Sequence, residues 1–190
     1  MSSHFYAMMS RMKNIERWGL MRNTRPENLS EHTLEVAFIA HALAIIHNRR
    51  FGGNVDPNAV AVAAMFHDTS EIITGDMPTP IKYYNANIKN VYKEIEKVAE
   101  GQLVNLLPED MRDDFAPIYN PDPQTQKFVK AADKISALIK CIEEKNSGNQ
   151  EFRSAEASTL KSIKELNLPE ADVFLDEFLS SFSLTLDELK

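Results

Sequence analysis

Met65-Phe66-His67-Asp68-Thr69-Ser70-Glu71 sets an imidazole beside a carboxylate in an apolar, helix-forming stretch, with a second carboxylate three residues on. Adjacent His and Asp residues on one element supply half of a mixed nitrogen and oxygen ligand set, the kind that suits a first-row divalent ion able to activate water. The dipeptide alone is weak evidence, so its reading depends on partners elsewhere. His32 upstream and Asp133 downstream complete the set, each associated with an apolar helical stripe of its own. Together the four residues predict a metal site built across three helices.

The stripes define the helices. From Asn28 to His47, Val36, Ile39, Ala40, Leu43 and Ile46 recur at intervals of three and four, and His32 extends the same face. Asn28 with Glu31 resembles a capping box, although Ser30 also suits an N-cap. Asp56-Pro57 matches an N-cap followed by an N1 proline, and Gly75 is a stop, so a helix is expected over roughly 57 to 74 with His67 and Glu71 on one face. Gly75-Asp76-Met77-Pro78-Thr79-Pro80 then reads as a rigid loop. A helix is expected from about Ile88 to Leu107 with Val91, Ile95, Val98 and Leu106 inward, and another over roughly Gln124 to Lys145, with Asp133 beside the stripe of Phe128, Ala132, Ile135, Ile139 and Ile142. Phe5 to Ile15 is amphipathic, Gly148-Asn149 marks a turn, and Phe174 to Phe182 predicts a last short helix. Six glycines and no sustained β-branched alternation leave little room for a sheet. The expectation is an all-α, irregular helical bundle forming one domain over residues 1–190.

Composition narrows the function classes. A formal net charge of -7 and scattered Lys and Arg give no basic track for a polynucleotide, whereas a small phosphorylated ligand needs only one or two cations. Cys141 is the single cysteine, which excludes an intramolecular disulfide and a thiolate zinc cage and reads as a buried, inert thiol. There is no apolar signal core at the amino terminus and no apolar run near the ~20 residues of a membrane span, so a cytoplasmic, membrane-free protein is expected. His4, His41 and His47 read as ordinary structural histidines, and Arg22 and Arg25 as surface residues.

The order His32, His67-Asp68, Asp133 resembles the H…HD…D pattern of the HD-domain superfamily of metal-dependent phosphohydrolases. Arg17-Trp18-Gly19-Leu20-Met21-Arg22, Ser30-Glu31-His32, His67-Asp68-Thr69-Ser70-Glu71 and Thr74-Gly75-Asp76-Met77-Pro78-Thr79-Pro80-Ile81-Lys82-Tyr83 are similar to the bacterial YfbR-type 5'-deoxynucleotidases. The likeness extends over almost the whole chain and weakens after about Asn146. Thr33 and Gly19 depart from it, where many relatives carry serine and proline. The resemblance implies an HD-type all-α homodimer that removes the 5'-phosphate from deoxyribonucleoside 5'-monophosphates with one divalent metal, cobalt foremost, with manganese or copper also supporting activity. It further implies His32, His67, Asp68 and Asp133 as metal ligands and Glu71, Asp76 and Arg17 as catalytic. Substrate contacts would come from Arg17, Trp18, His32, Asp68, Asp76, Met77, Pro78, Thr79 and Asp133.

Two other functions fit the same motif. One is an HD phosphohydrolase acting on a cyclic nucleotide, a polyphosphate or a triphosphate, although the latter two demand more cations than Arg17 and a neighbour or two. The other is a nucleotide-binding regulator whose ion only braces the fold, but a structural site has no use for the spare carboxylates Glu71 and Asp76.

Overall fold

A computed structural model describes residues 2–82 and 84–190; Tyr83 and the side chain of Thr79 lie outside the described residues. Its helices, in order, are α1 (Phe5–Met9), α2 (Leu29–Arg50), α3 (Pro57–Phe66), α4 (Glu71–Thr74), α5 (Thr79–Lys82), α6 (Ala86–Asn105), α7 (Arg112–Tyr119), α8 (Pro123–Asn146), α9 (Arg153–Lys164) and α10 (Pro169–Phe178). No strand occurs among the described residues; an isolated antiparallel bridge pairs Glu16 with Asn28. The architecture is the expected all-α bundle.

The central helix is α2, packed against α3, α8 and α10. Its Asn28 side chain accepts from the Ser30 and Glu31 amides while Glu31 reaches back to the Asn28 amide, so the helix opens with a full capping box at Asn28. Val36, Ala40 and Leu43 are fully buried against Val60, Ala64, Phe128, Ala132 and Ile135. By length and composition α2 passes as a candidate membrane span, contrary to the expectation that no run comes near one, yet here it is the core helix of the bundle. A second apolar cluster under α1, α6 and α7 is built on Phe5, Leu103, Leu107 and Phe115, with Phe66 bridging toward the first.

Several elements depart from the expectation. The helix expected over 57 to 74 breaks after Phe66, because the Thr69 hydroxyl takes the Phe66 carbonyl at 2.9 Å and the His67 ring takes that of Ala64 at 2.7 Å, in competition with the helical ladder. Residues 67–70 are therefore a turn, and Glu71 opens the short α4. Gly75 ends that helix at φ 72° and ψ 163°, a combination open essentially to glycine alone. Helix α6 is rotated from its expected register: Val91, Ile95 and Val98 are 54%, 47% and 60% exposed, and Tyr92, Ala99 and Leu103 are buried instead. Polar anchors set that rotation, since Lys82 pairs with Glu96 at 2.9 Å and lies over the Tyr92 ring, whose hydroxyl meets Thr74. Helices α7 and α9 were not expected, and α10 begins at Pro169, ahead of Phe174, with proline at its first position.

One buried network fastens the 16–28 segment to the bundle. Glu144 on α8 accepts from the Thr24 amide and hydroxyl (2.9 and 2.6 Å), from Asn149 (2.8 Å) and from Lys140 (2.5 Å). Burial opposes ionisation of this carboxyl, but the hydrogen bonds from Lys140 and Thr24 hold it well below the usual carboxylate range. Removing it takes the charge partner from the buried ammonium of Lys140, which keeps the Arg25 carbonyl, and releases the Thr24 amide and hydroxyl. Glu144→Ala is expected to cost about 3 kcal/mol of stability in denaturant titration; a loss under about 1 kcal/mol would show that the network does not anchor the segment.

Candidate metal centre and active site

Each helix delivers its side chain for a local reason. The capping box sets the start of α2 so that His32 falls one turn in, 1% exposed, with its amide on the Asn28 carbonyl. The break after Phe66 turns His67 and Asp68 off the α3 axis toward α2 and α8. Asp133 lies beside the buried Ala132 of α8.

These four residues converge, with one ligand atom from each lying within 4.8 Å of all the others. His32 Nε2 stands 3.6 Å from Asp68 Oδ2 and 3.3 Å from Asp133 Oδ1, and His67 Nε2 stands 3.0 Å from Asp68 Oδ2. Two atoms each about 2.0–2.2 Å from a common ion are at most roughly 4.4 Å apart, so these separations suit one cation with little adjustment.

The tautomers point the same way. His67 Nδ1 must donate to the Ala64 carbonyl, which can only accept. Ser136 gives its hydroxyl hydrogen to Glu35 at 2.5 Å and so receives the hydrogen of His32 Nδ1 at 3.1 Å when Glu35 is ionised. Both Nε2 atoms are thus buried and turned toward the carboxylates of the cluster. Burial and the neighbouring Arg17 guanidinium push the His32 pKa down, favouring the neutral ligand form. Burial also disfavours His67 imidazolium, but Asp68 outweighs it and raises that pKa to about 9. A proton on His67 Nε2 occupies the position a cation would take.

Arg17, Glu71 and Asp76 lie close enough to interact with the clustered carboxylates. Burial alone would lower the Arg17 pKa, yet Asp133, Asp68, Glu27 and Asp76 surround it and raise it; Arg17 Nη1 is 3.5 Å from Asp68 Oδ2. Glu71 is 4% exposed, its Oε2 has no partner, and burial with the charges of Asp68 and Asp76 pushes its carboxyl up to about 9. Burial also raises Asp76, against the pull of Arg17. Met77 and Pro78 continue the loop from Asp76 half-buried, and the Thr79 side chain lies outside the described residues. Trp18 is half-buried beside Phe152, with its indole N–H on Glu27.

The structure adds residues that sequence reasoning missed. Ser136 and Glu35 orient His32, and Ser136 was visible as a polar residue three positions after Asp133 within an apolar stripe. Glu27 binds both Arg17 and Trp18, a role that depends on the chain folding back at residues 16 and 28. A cavity of about 300 Å³ opens against His67 and Asp133 between Phe66, Tyr119, Gln126 and Lys130, and offers room beside the cluster. His47, by contrast, is structural: it bonds Glu170 at 2.6 Å, and Gly53 packs so closely on its ring that no Cβ fits there. Cys141 is buried, and burial lifts its thiol to about 12, consistent with an inert residue.

Known proteins with similar sequences and folds are consistent with this geometry. Among solved structures, an HD-domain phosphohydrolase from Listeria innocua superposes with a TM-score of 0.82 at 22% identity, covering 94% of this chain and 88% of that one. The cyanophage S-2L HD phosphohydrolase DatZ, solved bound to dA and one catalytic Zn2+ ion, matches with a TM-score of 0.67 at 17% identity over 92% of this chain and 96% of that one. At these identities the likeness establishes the HD-type fold. Closer in sequence are 5'-deoxynucleotidases of Erwinia tasmaniensis, 49% identical over 98% of this chain and 96% of that protein, and of Vibrio cholerae, 50% identical over 98% of each. With the family model for YfbR-like 5'-deoxynucleotidases matching residues 4–182, the chain belongs to that family.

Proposed function

We infer that His32, His67, Asp68 and Asp133 hold one divalent cation, and that this 5'-deoxynucleotidase removes the 5'-phosphate from deoxyribonucleoside 5'-monophosphates beside it. The observation that carries the reading is the pair of buried Nε2 atoms whose Nδ1 hydrogens are committed elsewhere, that of His32 facing Asp68 and Asp133 and that of His67 facing Asp68. An ion held there supplies Lewis acidity, withdrawing charge from a phosphoryl oxygen and making water a better nucleophile. Two imidazoles and two carboxylates suit several first-row ions; cobalt is our first choice, with manganese and copper as alternatives, and the Zn2+ of the cyanophage enzyme belongs to the same range.

The chain's own groups divide the remaining work. Arg17 grips the phosphate with two parallel N–H donors, a geometry a lysine cannot copy. Glu71 retains its proton at neutral pH and gives it to the departing 5'-oxygen, while Asp76 takes a proton from the attacking water. Trp18, with the loop Asp76, Met77, Pro78 and Thr79, walls the sugar. Packed at C2', the indole leaves a ribose hydroxyl clashing or without a partner, which disfavours it by ~1 to 3 kcal/mol.

The reading extends to the whole molecule as one domain over residues 1–190, a cytoplasmic homodimer acting on free nucleotides and on neither polynucleotides nor membranes. The net charge of -7 supports a small substrate. The uncovered apolar residues Val91, Ile95 and Val98 on α6 support a partner face.

The first test supplies cobalt or manganese to chelated protein with dAMP and with AMP. Phosphate is released from dAMP in preference to AMP, and Trp18→Ala narrows that preference in kcat/KM by about 5-fold or more, the equivalent of ~1 kcal/mol. Absence of phosphate release with either ion would end the enzymatic reading, and an unchanged ratio would end the wall. The second test concerns Glu71. Its folded pKa, about 9, lies above the ordinary 4.5, so its contribution to stability is full below the lower value and is lost as pH rises toward the upper one. Metal-free Glu71→Gln accordingly loses less Tm than the parent between about pH 6 and pH 9; equal losses would mean that Glu71 is already ionised at neutrality.

A further inference from the structure

Trp18 adopts φ 59°, a left-handed backbone conformation that bulky L residues avoid. Such a residue persists only where its surroundings over-determine it. Here the Trp18 carbonyl accepts from the Met21 amide at 2.8 Å, the ring lies 5.3 Å from that of the buried Phe152, and the indole Nε1–H donates to Glu27 Oε2 at 2.8 Å. The same oxygen stands 3.4 Å from Arg17 Nε. Glu27 is itself tied down: its carbonyl accepts the Arg17 amide at 2.9 Å, next to the Glu16–Asn28 bridge, and its side chain is 12% exposed.

One carboxylate oxygen thus holds two neighbouring side chains at once. With its Nε side turned to Glu27, the guanidinium presents Nη1 toward the cluster, 3.5 Å from Asp68. With its N–H fixed, the indole cannot rotate about its side-chain bonds without breaking a hydrogen bond to a charged acceptor, among the stronger kinds. The spacing between the group that takes the phosphate and the ring that faces the sugar is therefore set by Glu27. Arginine alone could place the phosphate, but discrimination at C2' needs the ring at a fixed offset from it.

We propose that Glu27 is the positioning residue for deoxyribose selectivity, holding the Trp18 indole in register with the Arg17 guanidinium. This rests on the reading of Trp18 as the sugar wall. Loss of the carboxylate frees the ring, so ribonucleotides gain relative access. The second Glu27 oxygen lies 3.8 Å from His32 Nδ1, but that nitrogen keeps its 3.1 Å hydrogen bond with Ser136, so the four ligand residues stay in place. Glutamine keeps an acceptor oxygen for the indole but loses the charge beside Arg17, and so separates the two duties.

Trp18 is the single tryptophan of the chain, so its fluorescence reports this position directly. The experiment compares parent, Glu27→Ala, Glu27→Met, Glu27→Gln and Trp18→Ala, with Glu27→Met keeping the bulk if the alanine variant fails to fold. In Glu27→Ala and Glu27→Met, acrylamide quenching of Trp18 rises at least about twofold, and the dAMP to AMP ratio of kcat/KM falls to within about threefold of that of Trp18→Ala. Adding Trp18→Ala to either lowers the ratio no further. Glu27→Gln keeps the ratio and the quenching of the parent, while kcat/KM drops by the same factor for both nucleotides. Cobalt uptake stays at one equivalent throughout. The proposal is overturned if Trp18→Ala changes the ratio while Glu27→Ala and Glu27→Met leave both ratio and quenching at parental values. If instead Trp18→Ala leaves the ratio unchanged, the wall reading fails, and the quenching series alone decides whether Glu27 holds the ring.

Discussion

Much of the architecture serves to turn two buried imidazole Nε2 atoms, those of His32 and His67, toward the carboxylates of Asp68 and Asp133. Each ring is turned by a bond at its other nitrogen, His32 through Ser136 to Glu35 and His67 to the Ala64 carbonyl. Such outer bonds fix ring orientation and make the facing nitrogen a better ligand. A cation held at the cluster would neutralise the two adjacent carboxylates. Metal uptake must therefore displace the proton that Asp68 favours on His67, so affinity should rise with pH.

The bundle serves this convergence by crossing three elements at one point. Helices α2 and α8 carry His32 and Asp133 from the packed core, whereas the turn after α3 carries His67 and Asp68. A continuous helix would have spaced His67 and Glu71 as neighbours on one face. The break allows the adjacent His67 and Asp68 both to reach the cluster and starts Glu71 afresh on α4, where burial and like charge raise its carboxyl. The Arg17 and Trp18 segment lies outside the helices and depends on borrowed anchors: Glu144 through Thr24 and Arg25, the bridge at Glu16 and Asn28, and Phe152 under the indole ring.

What could be read from the residues follows the physics of each element. The stripes of α2 and α8 were legible because both helices lie in the core, where apolar periodicity and burial coincide. The α6 stripe misled for the opposite reason: Tyr92, Glu96 and the Lys82 ion pair fix its rotation, and Val91, Ile95 and Val98 are left outward. The break after Phe66 was hidden because hydroxyl and imidazole bonds to backbone carbonyls leave no mark in hydrophobic spacing. The four clustered residues were legible through their order and types. Glu27 and Glu35 were not, since their roles exist only once distant segments meet.

The central claim is that four side chains from three elements hold a single cation, and cobalt titration of chelated protein tests it most directly. The account predicts one equivalent bound per chain, with absorption typical of nitrogen and oxygen ligation, and an affinity that falls by more than about 100-fold in Asp133→Ala. Uptake of cobalt by Asp133→Ala with parental affinity, or no uptake by the parent protein, would contradict it.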